Sequence, residues 1–282
     1  MRSIGIPVAD RPECVIALDV AFSLAQTLNA DVNGYHIVPN RRVSKSLDLQ
    51  NLQGDAWPDI TEVEAKAAAE SARKLFESMA ESYEYKVSSK HGTASSPHAV
   101  FKDKSGSPEK LIPLFGPVND MLVVSRPKTK GNNKAAIIMM SALLHTATPV
   151  MVLPQKKIKP KMKRIAIAWN NGRAEGLLTR AMVPVLQAAE DVVFITEGKD
   201  HQEGPTAKEM MNFLKAYGIK SRLKKVTAKK TAESLVDAAK TEKADIMLCG
   251  AYSRGRTRQL LFGGVTQHLL TKTDFPVVLL HV

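Results

Sequence analysis

Asp245-Ile246-Met247-Leu248-Cys249-Gly250-Ala251-Tyr252-Ser253-Arg254-Gly255-Arg256-Thr257-Arg258-Gln259-Leu260-Leu261-Phe262-Gly263-Gly264-Val265-Thr266, followed by Phe275-Pro276-Val277-Val278-Leu279-Leu280, is the stretch on which the fold turns. A short apolar run ending in glycine is a buried strand. A basic polar loop follows, then a Gly-Gly pair that opens a helix, then a last apolar strand. Open α/β sheets build anion sites in this way, because free backbone N–H groups at a helix start face whatever lies beyond the strand's carboxyl end.

Upstream, the same alternation repeats. Arg164–Trp169 is an apolar run closed by Asn170-Asn171-Gly172, and residues 174–189 carry helical spacing through Leu177, Leu178, Ala181, Val185 and Leu186. Pro184 is expected to bend that helix. A strand over Asp191–Thr196, a helix over Ala207–Tyr217 stopped at Gly218, an alternating strand over Ser221–Val226 and a helix over Thr231–Thr241 complete the set. Strands alternating with helices imply a parallel sheet with right-handed crossovers and helices on both faces. The fully apolar runs suit central positions and the alternating Ser221–Val226 suits an edge.

The first half follows the same plan less cleanly. Arg2–Val8 and Val32–Val38 read as strands, Cys14–Leu28 and Val63–Ser82 as helices, and Tyr85–Ser89 as an alternating strand. Residues 41–59 form a long polar connection, either a loop or a flap over the crevice. The two halves end alike. Asp120 is followed by an apolar run, as is Asp245, and Thr148-Pro149-Val150-Met151-Val152-Leu153 matches Phe275-Pro276-Val277-Val278-Leu279-Leu280. Similar spacing at both ends implies a tandem duplication, with a boundary near residues 154–161. Pro149–Leu153 and Pro276–Leu280 are expected to meet inside one chain, hiding two sheet edges.

Composition narrows the classes. Hydrophobic content of 44% and charged content of 24% are those of a globular chain. The 40 Lys+Arg against 28 Asp+Glu give a net charge of +12, which favours anionic partners. The basic residues are scattered and not interleaved with aromatics, so nucleic acid is disfavoured. The densest basic run, Lys156–Arg164, lies between two apolar strands and reads as a linker. Cys14 and Cys249 are far apart, which gives no support to disulfide frameworks or zinc sites. No stretch of about 18 apolar residues suits a membrane span, and Met1–Pro7 is too short an apolar run for a secretory leader. A cytoplasmic location is the expectation.

Catalytic chemistry finds little footing. His36, His145, His268 and His281 lie in or beside apolar segments and are expected to be partly buried structural residues. His91 and His98 flank a polar loop with no Asp or Cys at ligand or triad spacing. No catalytic residue and no metal ligand is expected.

With these residues in place, the second half resembles the universal stress protein family, and the whole chain resembles a tandem member. The resemblance implies residues 1–155 as a degenerate domain and 162–282 as a domain with a partial nucleotide motif. Each would be a doubly wound, five-stranded parallel sheet of flavodoxin/Rossmann-like order 3-2-1-4-5, the pair forming an intramolecular pseudo-dimer; a homodimer of chains stays open. The family's nucleotide motif, G-x2-G-x9-G-(S/T), falls on Gly250, Ser253, Gly263 and Gly264, so the second and last positions depart from it. Losing a hydroxyl donor at Gly264 costs about 1.5–3 kcal/mol against a charged group.

The resemblance places ATP or another adenine nucleotide against Ala168, Asn170, Gly250, Ser253, Arg254, Gly263, Gly264, Val265 and Thr266, in the C-terminal domain only. Asn170 stands where the family has an Asp near the base, and it equally suits a turn and helix cap. Arg254, Arg256 and Arg258 suit either triphosphate contacts or a solvated basic loop. The first half, with Ser125-Arg126-Pro127 in place of the glycines, is expected to bind no nucleotide in this mode. The implied function is a non-enzymatic stress-response regulator or scaffold, gated by the nucleotide and acting through protein partners. The alternative is an adenine-nucleotide hydrolase or transferase, which needs an acid that the 250–266 loop lacks.

Overall fold

The computed structural model describes residues 1–38, 61–93, 95–127, 133–156, 158, 161–197, 204–227, 231–251 and 264–282. Ser253, Arg254, Gly255, Arg256, Thr257, Arg258 and Gly263 lie outside the described residues, as does the 41–59 connection. Two compact units divide the chain, Arg2–Thr148 and Pro149–Val282, with Met1 grouped with the second.

In the first unit, β1 (Ser3–Pro7), α1 (Pro12–Leu28), β2 (Asp31–Val38) and α2 (Glu62–Ser82) appear where the apolar periodicity puts them. A capping box starts α2: the Thr61 side chain accepts from the Glu64 N–H, and the Glu64 carboxylate accepts from the Thr61 N–H at 2.8 Å. The helix packs Phe76 onto Gly34 of β2, where a Cβ would stand 2.6 Å from the ring. Phe22 and Phe101 flank Phe76 at 5.5 and 5.4 Å between ring centroids. Truncating such a buried ring costs about 3–5 kcal/mol.

The third strand of this unit is not where the alternation of Tyr85–Ser89 puts it. Only Lys86–Val87 (β3) pairs there, both exposed, and the strand beside β2 is β4 (His98–Ser105). Only its first part is buried, and Lys102, Asp103 and Lys104 continue the ladder with β2 as charged residues on an exposed stretch. After β4 come α3 (Pro108–Phe115), a short 3-10 turn over Gly116–Val118, β5 (Met121–Ser125) and α4 (Asn133–His145). The strand order is β3-β4-β2-β1-β5, parallel in every described pairing.

The second unit opens with β6 (Val150–Leu153) and continues through β7 (Arg164–Ala168), α5 (Arg173–Ala181), α6 (Val183–Gln187), β8 (Asp191–Thr196), α7 (Ala207–Ala216), β9 (Ser221–Lys225), α8 (Thr231–Thr241), β10 (Ile246–Gly250), α9 (Gly264–Lys272) and β11 (Val277–Leu280). Pro184 breaks rather than bends the expected single helix: α5 stops before Met182, and Pro184 sits in the first turn of α6. The order β6-β11-β10-β7-β8-β9 makes the central strands apolar and leaves β9 at the edge, its Arg222–Lys225 exposed. Strands β7–β11 thus run 3-2-1-4-5 when counted from β7, as the resemblance implies. The pairing of β6 with β11 is antiparallel, Met151 opposite Val278. By sequence β6 ends the first half, yet it packs with the second unit.

The same small contacts occur within each unit. Asp120 Oδ2 accepts the backbone N–H groups of Arg2 and Ser3 at the start of β1 (2.5 and 2.9 Å), and Asp245 Oδ2 those of Lys163 and Arg164 at the start of β7 (both 3.0 Å). Thr206 and Glu209 cap α7 as Thr61 and Glu64 cap α2. The Gln26 amide donates to the Tyr83 carbonyl past the end of α2, and the Gln187 amide to the Tyr217 carbonyl past α7.

Candidate functional site

The strand β7 lies between β8 and β10, which puts the reversal of strand order at the carboxyl ends of β7 and β10. Ligands of open α/β sheets bind at such a point. Ala168 and Gly250 are the last residues of these two neighbouring strands. Asn170 follows β7, and its Oδ1 accepts the Gly172 N–H at 2.9 Å, an Asx turn just before α5. The helix α9 opens at Gly264, which is exposed and has no atom of the described residues within 4 Å of a Cβ placed there, while Val265 is half-buried and Thr266 buried in its first turn. Since β10 and β11 are parallel neighbours, α9 crosses back from the carboxyl edge and its free N–H groups start at that edge. Ala168, Asn170, Gly250, Gly264, Val265 and Thr266 therefore belong to one edge of one sheet.

Gly250 has a different neighbour from the one its sequence context implies. A Cβ there would stand 2.4 Å from the carboxyl carbon of Glu175. Glu175, in the first turn of α5, is 3% exposed and lays its carboxylate across the strand end. The carboxylate accepts hydrogen bonds from its own backbone N–H, from the Asn170 side chain and from the Gly250 N–H; its Oε2 is buried without a partner among the described residues. Burial outweighs these bonds and raises the Glu175 pKa. The Cys249 thiol beside it is pushed far above its ordinary range by burial, with the Glu175 charge adding to the effect.

Sequence reasoning missed Glu175. The signal was present: Glu175, Leu178 and Thr179 fall at i, i+3 and i+4 on the buried face of α5, and Met182, just past its end, is buried too. A lone acid in that row is a buried carboxylate.

At the matching place in the first unit, β5 ends in Ser125 and α1 presents Cys14. The Ser125 hydroxyl donates to the Glu13 carbonyl at 2.7 Å. The Cys14 thiol donates weakly to the Pro7 carbonyl at 3.6 Å and accepts from the Ala9 N–H at 3.4 Å. Burial pushes its pKa up to about 11, so it stays a neutral thiol. Between β1, β5, α1 and α4 lies a cleft of about 420 Å³, counting open solvent, with Pro7, Ala9, Cys14, Val124 and Ile138 as apolar walls and Arg11 at its lining. Lys134 is held below its ordinary pKa by burial and by Arg11.

The histidines follow the expectations in part. His36 is buried with Nδ1 2.9 Å from the Val8 carbonyl, His281 meets the Ala251 carbonyl, and His268 is half-buried; His145 is exposed, because it ends α4 on its solvent side. His91 does gain an acid from far along the chain. The buried Asp31 carboxylate lies 3.2 Å from its Nδ1 and accepts the backbone N–H groups of Gly92 and His98. Those bonds pin a loop to the start of β2. Among the described residues no cluster of three metal-ligating side chains occurs, and no helix is long and apolar enough to cross a membrane.

The sequence model of the universal stress protein family matches residues 174–281, from the first turn of α5 to the end of the last strand. The match spans less than half of the chain, so it is a likeness of this part to the family. No curated protein matches the chain. The whole chain resembles a universal stress protein from Archaeoglobus fulgidus DSM 4304, at 11% identity, over 99% of this chain and 96% of that one, with a TM-score of 0.73. A functionally unknown protein from Pseudomonas aeruginosa PAO1 is similar over 100% of this chain and 92% of its own, at 12% identity and a TM-score of 0.58. The cytoplasmic domain of a prokaryotic cation chloride cotransporter covers 99% of this chain and 94% of its own, at 11% identity and a TM-score of 0.50. At these identities the likeness is one of fold, and the fold serves proteins of differing description.

Proposed function

We propose that the protein is a tandem universal stress protein whose C-terminal domain takes an adenine nucleotide, ATP foremost, at the carboxyl edge of β7 and β10, and that it acts through protein contacts without catalysis. The observation that carries this reading is that Asn170, Gly250 and the start of α9 fall at the carboxyl edge of one sheet, beside its point of strand-order reversal. With Oδ1 bonded to the Gly172 N–H and one amide N–H given to Glu175, Asn170 keeps a second N–H and an oxygen lone pair for a base edge, and the α9 N–H groups offer donors to phosphate. The recurring Asp120/Asp245 clamps and helix caps support two copies of one domain.

Calorimetry with ATP tests it. Saturable heat from the parent protein, lost in the Arg254→Ala, Gly263→Val double variant, is the expected result. An absence of heat from the parent removes the nucleotide and leaves the scaffold.

A second reading, nucleotide hydrolysis, gains one observation. Glu175 supplies beside Gly250 the acid that the loop lacks. Steady ATP turnover that disappears in Asn170→Ala and Glu175→Gln would establish it over the non-catalytic reading.

A further inference from the structure

We infer that Glu175 sets the charge state in which the C-terminal crevice accepts an anion, so that a nucleotide enters together with one proton, which is held on the Glu175 carboxylate. The inference rests on the nucleotide reading above and adds to it the residue that governs entry.

Geometry carries the argument. The strand-end space that a glycine leaves open for a ligand is occupied by this carboxylate, close enough that a Cβ on Gly250 would meet its carbon at 2.4 Å and its oxygens at 2.4 and 2.7 Å. Two of the groups that could greet an incoming anion, the Gly250 N–H and the Asn170 side chain, are already engaged by it. A phosphate brought to that edge would face a second anion in a desolvated place, where like charges repel strongly. One proton on the carboxylate removes the repulsion, and it turns Oε2, which has no partner among the described residues, from an acceptor into a donor towards the ligand. The proton comes from solvent, and the only bond made is O–H.

Little else among the described residues competes for this role. From β10 the titratable group is the Cys249 thiol, which burial holds neutral. The strand β11 and the helix α6 present no titratable side chain to α5, and His281, just past β11, is turned to the Ala251 carbonyl. On α5 itself Arg173 and Arg180 are exposed to solvent. Asn170 and Asn171 are neutral. The raised pKa of Glu175 agrees with a carboxyl that takes a proton readily.

The test is ATP calorimetry on the full chain between pH 7.5 and 9.0, in pairs of buffers of different ionisation heat, for the parent and for Glu175→Gln. The variant subtracts any titration belonging to ATP itself. Expected is uptake of about one proton per ATP by the parent relative to the variant, with the parent's Kd rising about tenfold per pH unit while the variant's changes less. At pH 8.5 the variant should bind at least about tenfold tighter. If both proteins bind ATP and take up the same number of protons, the role of Glu175 is overturned and the nucleotide reading stays intact. No binding by either protein at pH 6.0 or 8.5 overturns both. Should Glu175→Gln not fold, Glu175→Ala takes its place as the reference in the same pairs of buffers.

Discussion

Ser125 and Gly250 end corresponding strands, β5 and β10, and each lies beside the first turn of a helix, α1 after β1 and α5 after β7. In the first unit that helix offers Cys14, a small neutral group bonded to its own loop, and the serine bonds a backbone carbonyl; a cleft stays open between them. In the second unit the helix offers Glu175, and the glycine is the space its carboxylate fills. Two strand ends in like positions thus give an apolar cleft in one unit and a buried carboxyl plug in the other. A glycine at a strand end is evidence of close approach, but the approaching group can belong to the protein itself.

The contrast can be broken most forcefully at Gly250. Gly250→Ala forces a methyl onto a buried carboxylate and should destabilise the protein by about 1–3 kcal/mol in denaturant unfolding. The same change made on top of Glu175→Ala should cost clearly less; equal costs in both backgrounds would separate the glycine from the carboxylate.

Next in size is Glu175→Gln, expected to stabilise by about 1 kcal/mol at pH 8 and by little at pH 4. Burial raises the folded carboxyl's pKa above its ordinary 4.5, so the folded state holds more protons than the unfolded one. Stability from this group is therefore full below about that value and is lost as pH rises through the raised one. Thermal melts of parent and variant across that range should diverge upward; parallel curves would mean Glu175 is not a cost to the fold.

Ser125→Ala, the first unit's counterpart, removes one hydroxyl bond beside an open cleft and should cost under about 1 kcal/mol. A larger loss than at Gly250 would reverse the ranking of the two strand ends. Smallest of all, Gly264→Ser should leave stability within about 0.5 kcal/mol, since no atom of the described residues lies within 4 Å of that Cβ. Its added hydroxyl should tighten ATP in the same calorimetry, and weakened binding would place the ligand elsewhere.

The second unit was legible because its central strands are apolar throughout and its helices are amphipathic, so period alone separates them. The first unit hid β4, where Lys102-Asp103-Lys104 run in the ladder with solvent around them and carry no strand signature. The alternation at Tyr85 and Val87 suggested a strand instead, although Tyr85 is buried by packing on Phe22 and by a bond from its hydroxyl to the Ala30 carbonyl, not by sheet formation. At the site, Asn170, Gly250 and the opening of α9 could be read from spacing, since turn and helix starts are local. Glu175 could not be paired with Gly250 in the same way: 75 residues separate them, and only the adjacency of β7 and β10 brings α5 over that strand end.

The antiparallel pairing of β6 with β11 bears on how the chain can be cut. Val150–Leu153 precedes the basic linker, so a fragment beginning at residue 162 would carry β11 without its neighbour. Val277–Leu280, fully apolar and buried in the intact unit, would then become a bare edge with unpaired N–H and C=O groups, ready to recruit a second fragment. A fragment beginning at Pro149 keeps that partner, so the choice of cut decides whether the sheet's outermost strand is β11 or β6.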